Sequence, residues 1–337
     1  MNRKLAGLLV VLPLLVGMIP TDAVARDVFY FIGYEMIQVV DGDTDSIVAN
    51  IPVDGWLRET DFSADKKFLY VVSKRHQIHK IDLAENKVVS TIDVFDKGWD
   101  RFIYGFDLAP DGKTAYVNLL SRTTRRGEAV VAPPMLAQID LADGRVMRSI
   151  EVPWGSAALV SVNNASSIYV IGKDIVKVDV SGELMKITGT YPMFDKQWNI
   201  LPLWDYTMEN DGVFIGNYYT PEHMGLVFVD SHSGEISDML IDGPPIFAYS
   251  VTQSPDRKRV YSVMDELGVI DVQSHSYEAV LPIPDGTNYA INVSSDGKKV
   301  YVTGGGSTTT VYDTQTLKPI KVLQMESDGM DFRRLTF

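Results

Sequence analysis

Seven times along this chain an apolar or aromatic residue precedes an aspartate: Val40-Asp41, Ile81-Asp82, Ile139-Asp140, Val178-Asp179, Val229-Asp230, Ile270-Asp271 and Tyr312-Asp313. Successive aspartates lie 41, 58, 39, 51, 41 and 42 residues apart. Most of these intervals match the length of a four-stranded propeller blade, and the two long ones read as insertions. Each copy has the same internal order. An alternating run such as Ala290-Ile291-Asn292-Val293 leads to a polar turn, and a second run such as Val300-Tyr301-Val302 follows. The turns include Ala109-Pro110-Asp111-Gly112, Ser254-Pro255-Asp256-Arg257 and Ser294-Ser295-Asp296-Gly297, whose residues tolerate turn backbone angles. A third run ends on the repeated aspartate, and a second turn leads to a fourth. No helical period of note intervenes.

The first copy enters at Val28–Ile32 as a second strand would, so its innermost strand is missing. The tail Asp331–Phe337 is left over and can supply it. The expectation is an all-β, seven-bladed β-propeller of four-stranded antiparallel blades over residues 26–337. Its ring is closed by N- and C-terminal strands, which buries the last sheet edges.

Residues 1–25 read as a secretory signal peptide. Arg3 and Lys4 precede an apolar run from Leu5 to Met18, and Ala23-Val24-Ala25 offers small residues for cleavage. The run is short for a membrane span, and no later run is long and apolar enough. Losing Arg3, Lys4 and Asp22 moves the formal charge from −13 to −14. An acidic exported chain is a poor partner for nucleic acid or an anionic membrane. The chain has no cysteine, which excludes covalent c-type haem, thiolate-held clusters and a thiol nucleophile.

Propeller geometry sorts the loops. Segments leading into the innermost strands share one face with the loops between second and third strands, and the polar turns occupy the other. The first face carries Trp56, Phe102, Tyr104, Trp154, Trp204, Phe247, Tyr249 and Tyr289. Both insertions, Leu119–Pro134 and Asn217–Met224, belong there too. An aromatic, loop-rich face suits a docking partner or ligand, while any single ring could equally wedge between blades as core.

Other motifs fail on their spacing. Asp41-Gly42-Asp43-Thr44-Asp45 begins like a calcium loop, but Ser46 and Pro52 stand where glycine and glutamate are needed. His76 and His79 lie three apart on an expected strand and so point to opposite faces. Gly304-Gly305-Gly306 follows a strand without opening a helix, so it lacks a phosphate-binding dipole. Asp61, Asp107, Asp205 and Asn292 recur near the innermost strands, where they could line the axis of a calcium-dependent lactonase or satisfy neighbouring strands.

The stretches "YGFDLAPDGKTAYV" (104–117), "IYVIGKDIVKVD" (168–179), "LPLWDYTMENDGVFIGNYYT" (201–220) and "YAINVSSDGKKVYVTGG" (289–305) share a further property. In order and spacing they resemble the β subunit of bacterial quinohemoprotein amine dehydrogenase, from Arg26 to the last blade. The sequence departs from that family near 57–62 and 186–200. The resemblance implies a periplasmic propeller subunit with no cofactor of its own and no catalytic or metal-binding residue. It also implies a dihaem cytochrome c-like α subunit and a small γ subunit bearing a crosslinked cysteine-tryptophan quinone. Together these would oxidise a primary amine substrate and pass on its electrons. Trp204, Phe247, Tyr249 and Tyr289, followed by Phe102 and Tyr104, are the residues expected at the subunit interface or substrate path. The alternatives are a free-standing exported propeller that binds a protein or small ligand, or the calcium-dependent hydrolase.

Overall fold

The repeated aspartates are turn caps. Asp41 Oδ1 accepts from the Asp43 and Thr44 amides at 3.1 and 2.9 Å. Asp82 accepts from Ala84 and Glu85, Asp140 from Ala142, Asp179 from Ser181, Asp230 from His232 and Ser233, Asp271 from Ser274, and Asp313 from Thr316. A carboxylate that bonds amides two and three residues ahead stops the third strand and turns the chain into the fourth. The same local constraint recurs once in each repeat.

The computed structural model describes residues 25–201, 204–284 and 286–337. The expected leader lies outside these residues apart from Ala25. Among the described residues the chain is almost wholly strand, with one short 3-10 turn at Phe194–Lys196. Four sheets are simple antiparallel four-stranded blades, beginning at Ala158–Val162, Asn199–Leu201, Ser250–Gln253 and Asn288–Val293. A fifth, beginning at Asp100–Leu108, gains an extra strand because the 119–134 insertion folds as a hairpin of Thr114–Arg125 with Glu128–Val131.

The expected seven separate blades are corrected to six sheets. The strands at the chain's beginning and end join in one six-stranded sheet. Two long strands cause the merger. Asp27–Asp41 pairs through its first half with Gly329–Thr336 and through its second half with Ser46–Phe62. Ser46–Phe62 in turn pairs onward with Phe68–Ser73. The backbone bends within both strands, at Glu35 (φ 56°) and at Gly55 (φ 96°). The first bend brings the Gly42 amide within 3.0 Å of the Asp27 carbonyl.

The halves of this sheet pack face to face. Ile32, Ile37 and Ile51 of one half share a core with Leu69, Val71 and Ile81 of the other. The remaining cores lie between neighbouring sheets in the same way, for example Tyr70, Val72 and Ile78 against Ile103, Val117 and Ile139. The core next to the chain ends joins Phe29 and Phe332 to Tyr301 and Val311. Phe29 lies 4.2 Å from the Tyr301 ring and 5.2 Å from that of Phe332.

Phe332 sits fully buried in this stack. Phe332→Ala should therefore lower the unfolding free energy by about 3–5 kcal/mol. Urea denaturation measures this, and a loss below about 1 kcal/mol would mean that the terminal strand is not part of the cooperative fold.

Candidate functional site

The polar residues of the innermost strands work as clasps between neighbouring strands. Asp61 Oδ2 accepts from the Leu108 amide at 2.8 Å, and Asp107 Oδ2 accepts from the Ser161 amide at 2.6 Å. Asn210 Oδ1 accepts from Thr252 Oγ1 and the Gln253 amide, and Asn292 Nδ2 donates to the Phe332 carbonyl. Of the two uses open to Asp61, Asp107 and Asn292, the structure shows the satisfaction of neighbouring strands. Among the described residues no three histidines or acids converge as a metal site requires.

One repeat breaks the pattern. Its innermost strand, Asn199–Leu201, is only three residues long, and tight turns over 204–212 take the place of the rest. Asp205 holds the Thr207 amide at 2.8 Å, and the Asn210 amide reaches the Tyr206 carbonyl. The turns send Glu209 across to the C-terminal strand Gly329–Thr336. There Arg333 Nε and Nη2 donate to its two oxygens at 2.6 and 3.1 Å. Arg333 Nη1 also donates to the Thr60 carbonyl and hydroxyl, both at 2.7 Å. The pair is almost completely shielded, with 4% and 0% side-chain exposure. The space left beside it is about 20 Å³, lined by Glu59, Thr60, Asp205, Trp204, Asp331 and Arg333 among others. That suffices for about one water.

This polar centre holds more carboxyls than cations. Burial pushes Asp61 up to about 7 and holds Asp107 well above the usual carboxylate range. Burial also raises Asp205, Asp331 and Glu59. The native state therefore keeps protons that the unfolded chain has released.

Arginines and aromatic rings surround the mouth of this centre. Trp204, only 7% exposed, donates its indole N–H to the Tyr289 carbonyl at 2.5 Å. Tyr289 lies 5.4 Å from the Tyr249 ring. Arg58 lies over Trp204 at 5.6 Å and Arg75 over Tyr104 at 4.2 Å. Glu59 stands between the two arginines, 3.6 Å from Arg58 and 3.7 Å from Arg75. Of the six residues singled out from sequence, the structure thus gathers Trp204, Tyr249, Tyr289 and Tyr104.

Phe247 lies to the side, 65% exposed, against Tyr219. Phe102 lies under Arg122 in a separate groove of about 440 Å³, with Phe95, Trp99 and His76. Sequence reading missed Arg58, Glu59, Arg75, Tyr206, Glu209 and Arg333. Only Arg333 left a signal, as a charge in phase with Asp331 and Leu335 along an otherwise inward-facing strand.

No protein-family model matches this chain, and no curated protein matches it. Solved structures resemble it in fold. Hydrazine synthase from Kuenenia stuttgartiensis aligns with a TM-score of 0.57 at 14% identity, over 87% of this chain and 90% of that one. The dihydro-heme d1 dehydrogenase NirN, solved in complex with DHE, aligns at 0.55 and 16%, over 90% and 73%. A functionally unknown protein from Desulfotomaculum acetoxidans DSM 771 aligns at 0.64 and 13%, over 92% and 98%. At these identities the likeness establishes the propeller fold alone.

Two outcomes follow from the polar centre. Asp61 is protonated near neutrality when folded, whereas an unfolded aspartate ionises near pH ~4. Stability should therefore rise as pH falls from about 7 to about 4, by up to about 1.4 kcal/mol per unit for each retained proton. The trend reverses at lower pH, where carboxylates held down to about 2, Asp41 and Asp296, become protonated. Asp61→Asn keeps an oxygen for the Leu108 amide. It should give a shallower pH slope in urea unfolding, and an unchanged slope would mean that Asp61 is ionised in the native protein. Glu209→Gln should cost about 3–5 kcal/mol in the same measurement, because it breaks the buried pair with Arg333.

Proposed function

We propose that this chain is the cofactor-free propeller subunit of a periplasmic quinohemoprotein amine dehydrogenase, which oxidatively deaminates primary amines. The six-stranded sheet is then two blades in series. This gives seven repeats, with the ring closed where the N- and C-terminal strands pair. The observation that carries the reading is the face itself. Trp204, Tyr249 and Tyr289 pack together over a filled axis, while Trp56, Trp154 and Phe247 remain exposed around them. Such a face offers a preformed aromatic platform with no passage behind it.

In this reading the platform seats a small quinone-bearing subunit, and a dihaem cytochrome c-like subunit completes the complex. The quinone supplies the electron sink for amine oxidation. This chain's rings shape the substrate path and exclude water from it. Two structural relatives bear the names of enzymes, hydrazine synthase and a dihydro-heme d1 dehydrogenase, which is compatible with a propeller serving a redox complex. The calcium-dependent hydrolase is less well supported, because Asp61, Asp107 and Asn292 are already engaged as clasps.

Affinity-tagged protein purified from its native host should bring down a haem-bearing chain and a small chain that stains for quinone. Phe247→Asp should weaken that recovery by about tenfold or more while leaving the urea midpoint unchanged. A colourless monomer, purified without companions, would overturn the reading.

A further inference from the structure

The insertion at 119–134 leaves an open strand edge. Its outer strand, Glu128–Val131, pairs with residues 122–125 and with nothing else among the described residues. Arg126 and Gly127 both hold positive φ, 53° and 83°, as a two-residue hairpin turn requires, so the ribbon is preformed. All four residues of the outer strand are exposed, Val130 at 38% and Val131 at 51%. Ala132 turns its amide inward to the Ser121 carbonyl at 2.8 Å. By alternation Ala129 and Val131 turn their backbone groups outward, where no other described strand meets them.

We propose that Glu128–Val131 is a docking edge, and that it receives an extended, acidic segment of a partner protein as an added strand. Backbone and charge together select that occupant. Outward N–H and C=O groups at strand spacing are matched by another polypeptide backbone. Residues 121–132 hold Arg122, Arg125 and Arg126 against Glu128 alone, on a chain of formal charge −13. All three arginines are exposed. Arg125 and Arg126 form no ion pair among the described residues, and Arg122 has one long contact of 3.4 Å to Asp100. An added strand would run about 10 Å from the arginine-bearing strand, a gap that arginine and glutamate side chains span together. Arg122 and Arg125 also lie over Phe102 and Trp99, which holds the ribbon against its own blade.

The other open edges of the molecule are guarded. The outermost strand of each sheet carries a charged residue: Lys87, Arg148, Lys186, Asp238, Glu278 and Lys321 in turn. Charges there discourage edge-to-edge pairing. Ala129, Val130 and Val131 offer no such guard. A second copy of this chain is a poor occupant, because pairing two ribbons would bring arginine clusters of like charge together. The inference goes beyond the reading of the aromatic face and stands without it.

Titration of the purified chain with a short end-blocked peptide of alternating glutamate and valine tests the edge. The peptide with lysine in place of glutamate, at matched ionic strength, is the control. The acidic peptide should bind saturably with Kd at or below about 1 mM, and the basic one at least about tenfold more weakly. Hydrogen exchange followed by NMR should show the Ala129 and Val131 amides slowed by the acidic peptide. Ala129→Pro removes an outward N–H and none of the ribbon's own bonds. It should weaken binding by about tenfold at an unchanged urea midpoint. Arg125→Gln should weaken binding severalfold, whereas Arg145→Gln, in the turn after Asp140, should leave it unchanged. No saturable binding, equal binding of the basic peptide, or unchanged exchange at both Ala129 and Val131 would each overturn the proposal. The exchange readout on the unaltered chain decides the matter even where Ala129→Pro disturbs the ribbon. Dimerisation of the chain that Ala129→Pro abolishes would also overturn it, since the occupant would then be a second copy.

Discussion

The ion pair between Arg333 and Glu209 is the constraint on which the centre of this molecule depends. Arg333 stands on the strand Gly329–Thr336, Glu209 on the turns that replace most of an innermost strand, and Thr60 on the strand Ser46–Phe62. One guanidinium therefore ties together segments from three parts of the sequence. Buried ion pairs are weak devices for adding stability but can specify an arrangement. A one-residue slip of that C-terminal strand would drive Arg333 into the packing face that now holds Phe332. The pair thus fixes the register of the strand that joins the chain's two ends.

The same choice sets what the axis can do. Carboxyls crowd around one fully buried arginine, and burial holds several of them above the usual carboxylate range. Asp61 and Asp107 spend their oxygens on amides of neighbouring strands. A centre so filled offers neither a passage nor a free set of ligands.

Much of this fold was legible because its main signals are local. Alternating runs follow from the two-residue period of a strand, and the repeated aspartates from turns that close within three residues. All seven aspartates cap the turn after the third strand, a role their recurrence alone did not name. The count of sheets was not legible in the same way. Whether a strand ends or bends depends on backbone angles at Glu35 and Gly55; Asp54-Gly55 is a turn dipeptide, but nothing beside Glu35 announces its left-handed angle. The triple glycine illustrates another limit. Gly304 lies close against the backbone of Thr287 and Asn288, so the chain approaching it is this protein's own. At the mouth, Tyr249 and Tyr289 could be picked as aromatic residues in equivalent positions. Arg58, Glu59 and Arg75 could not, because their significance lies in where two different strands bring them.

The filled centre and the unsatisfied mouth share one cause. A propeller converges its innermost strands on a narrow axis, where polar side chains must find partners or remain costly. Deep in this axis the partners come from the protein itself, as backbone amides, Thr60 and Glu209. At the mouth the supply fails, because the strands diverge and the aromatic rings of Trp204 and Tyr104 fill the flanks without offering strong acceptors. Arg58 and Arg75 therefore lie over those rings, Arg58 with its Nε unpartnered and Arg75 with one long contact of 3.5 Å to the Ile103 carbonyl. Such stacking fixes the position of a guanidinium and leaves its N–H edge free. The unpartnered Arg58 Nε and Glu59 Oε2 mark that shortfall at the mouth, as Tyr206 Oη and Asn210 Nδ2 do deeper in.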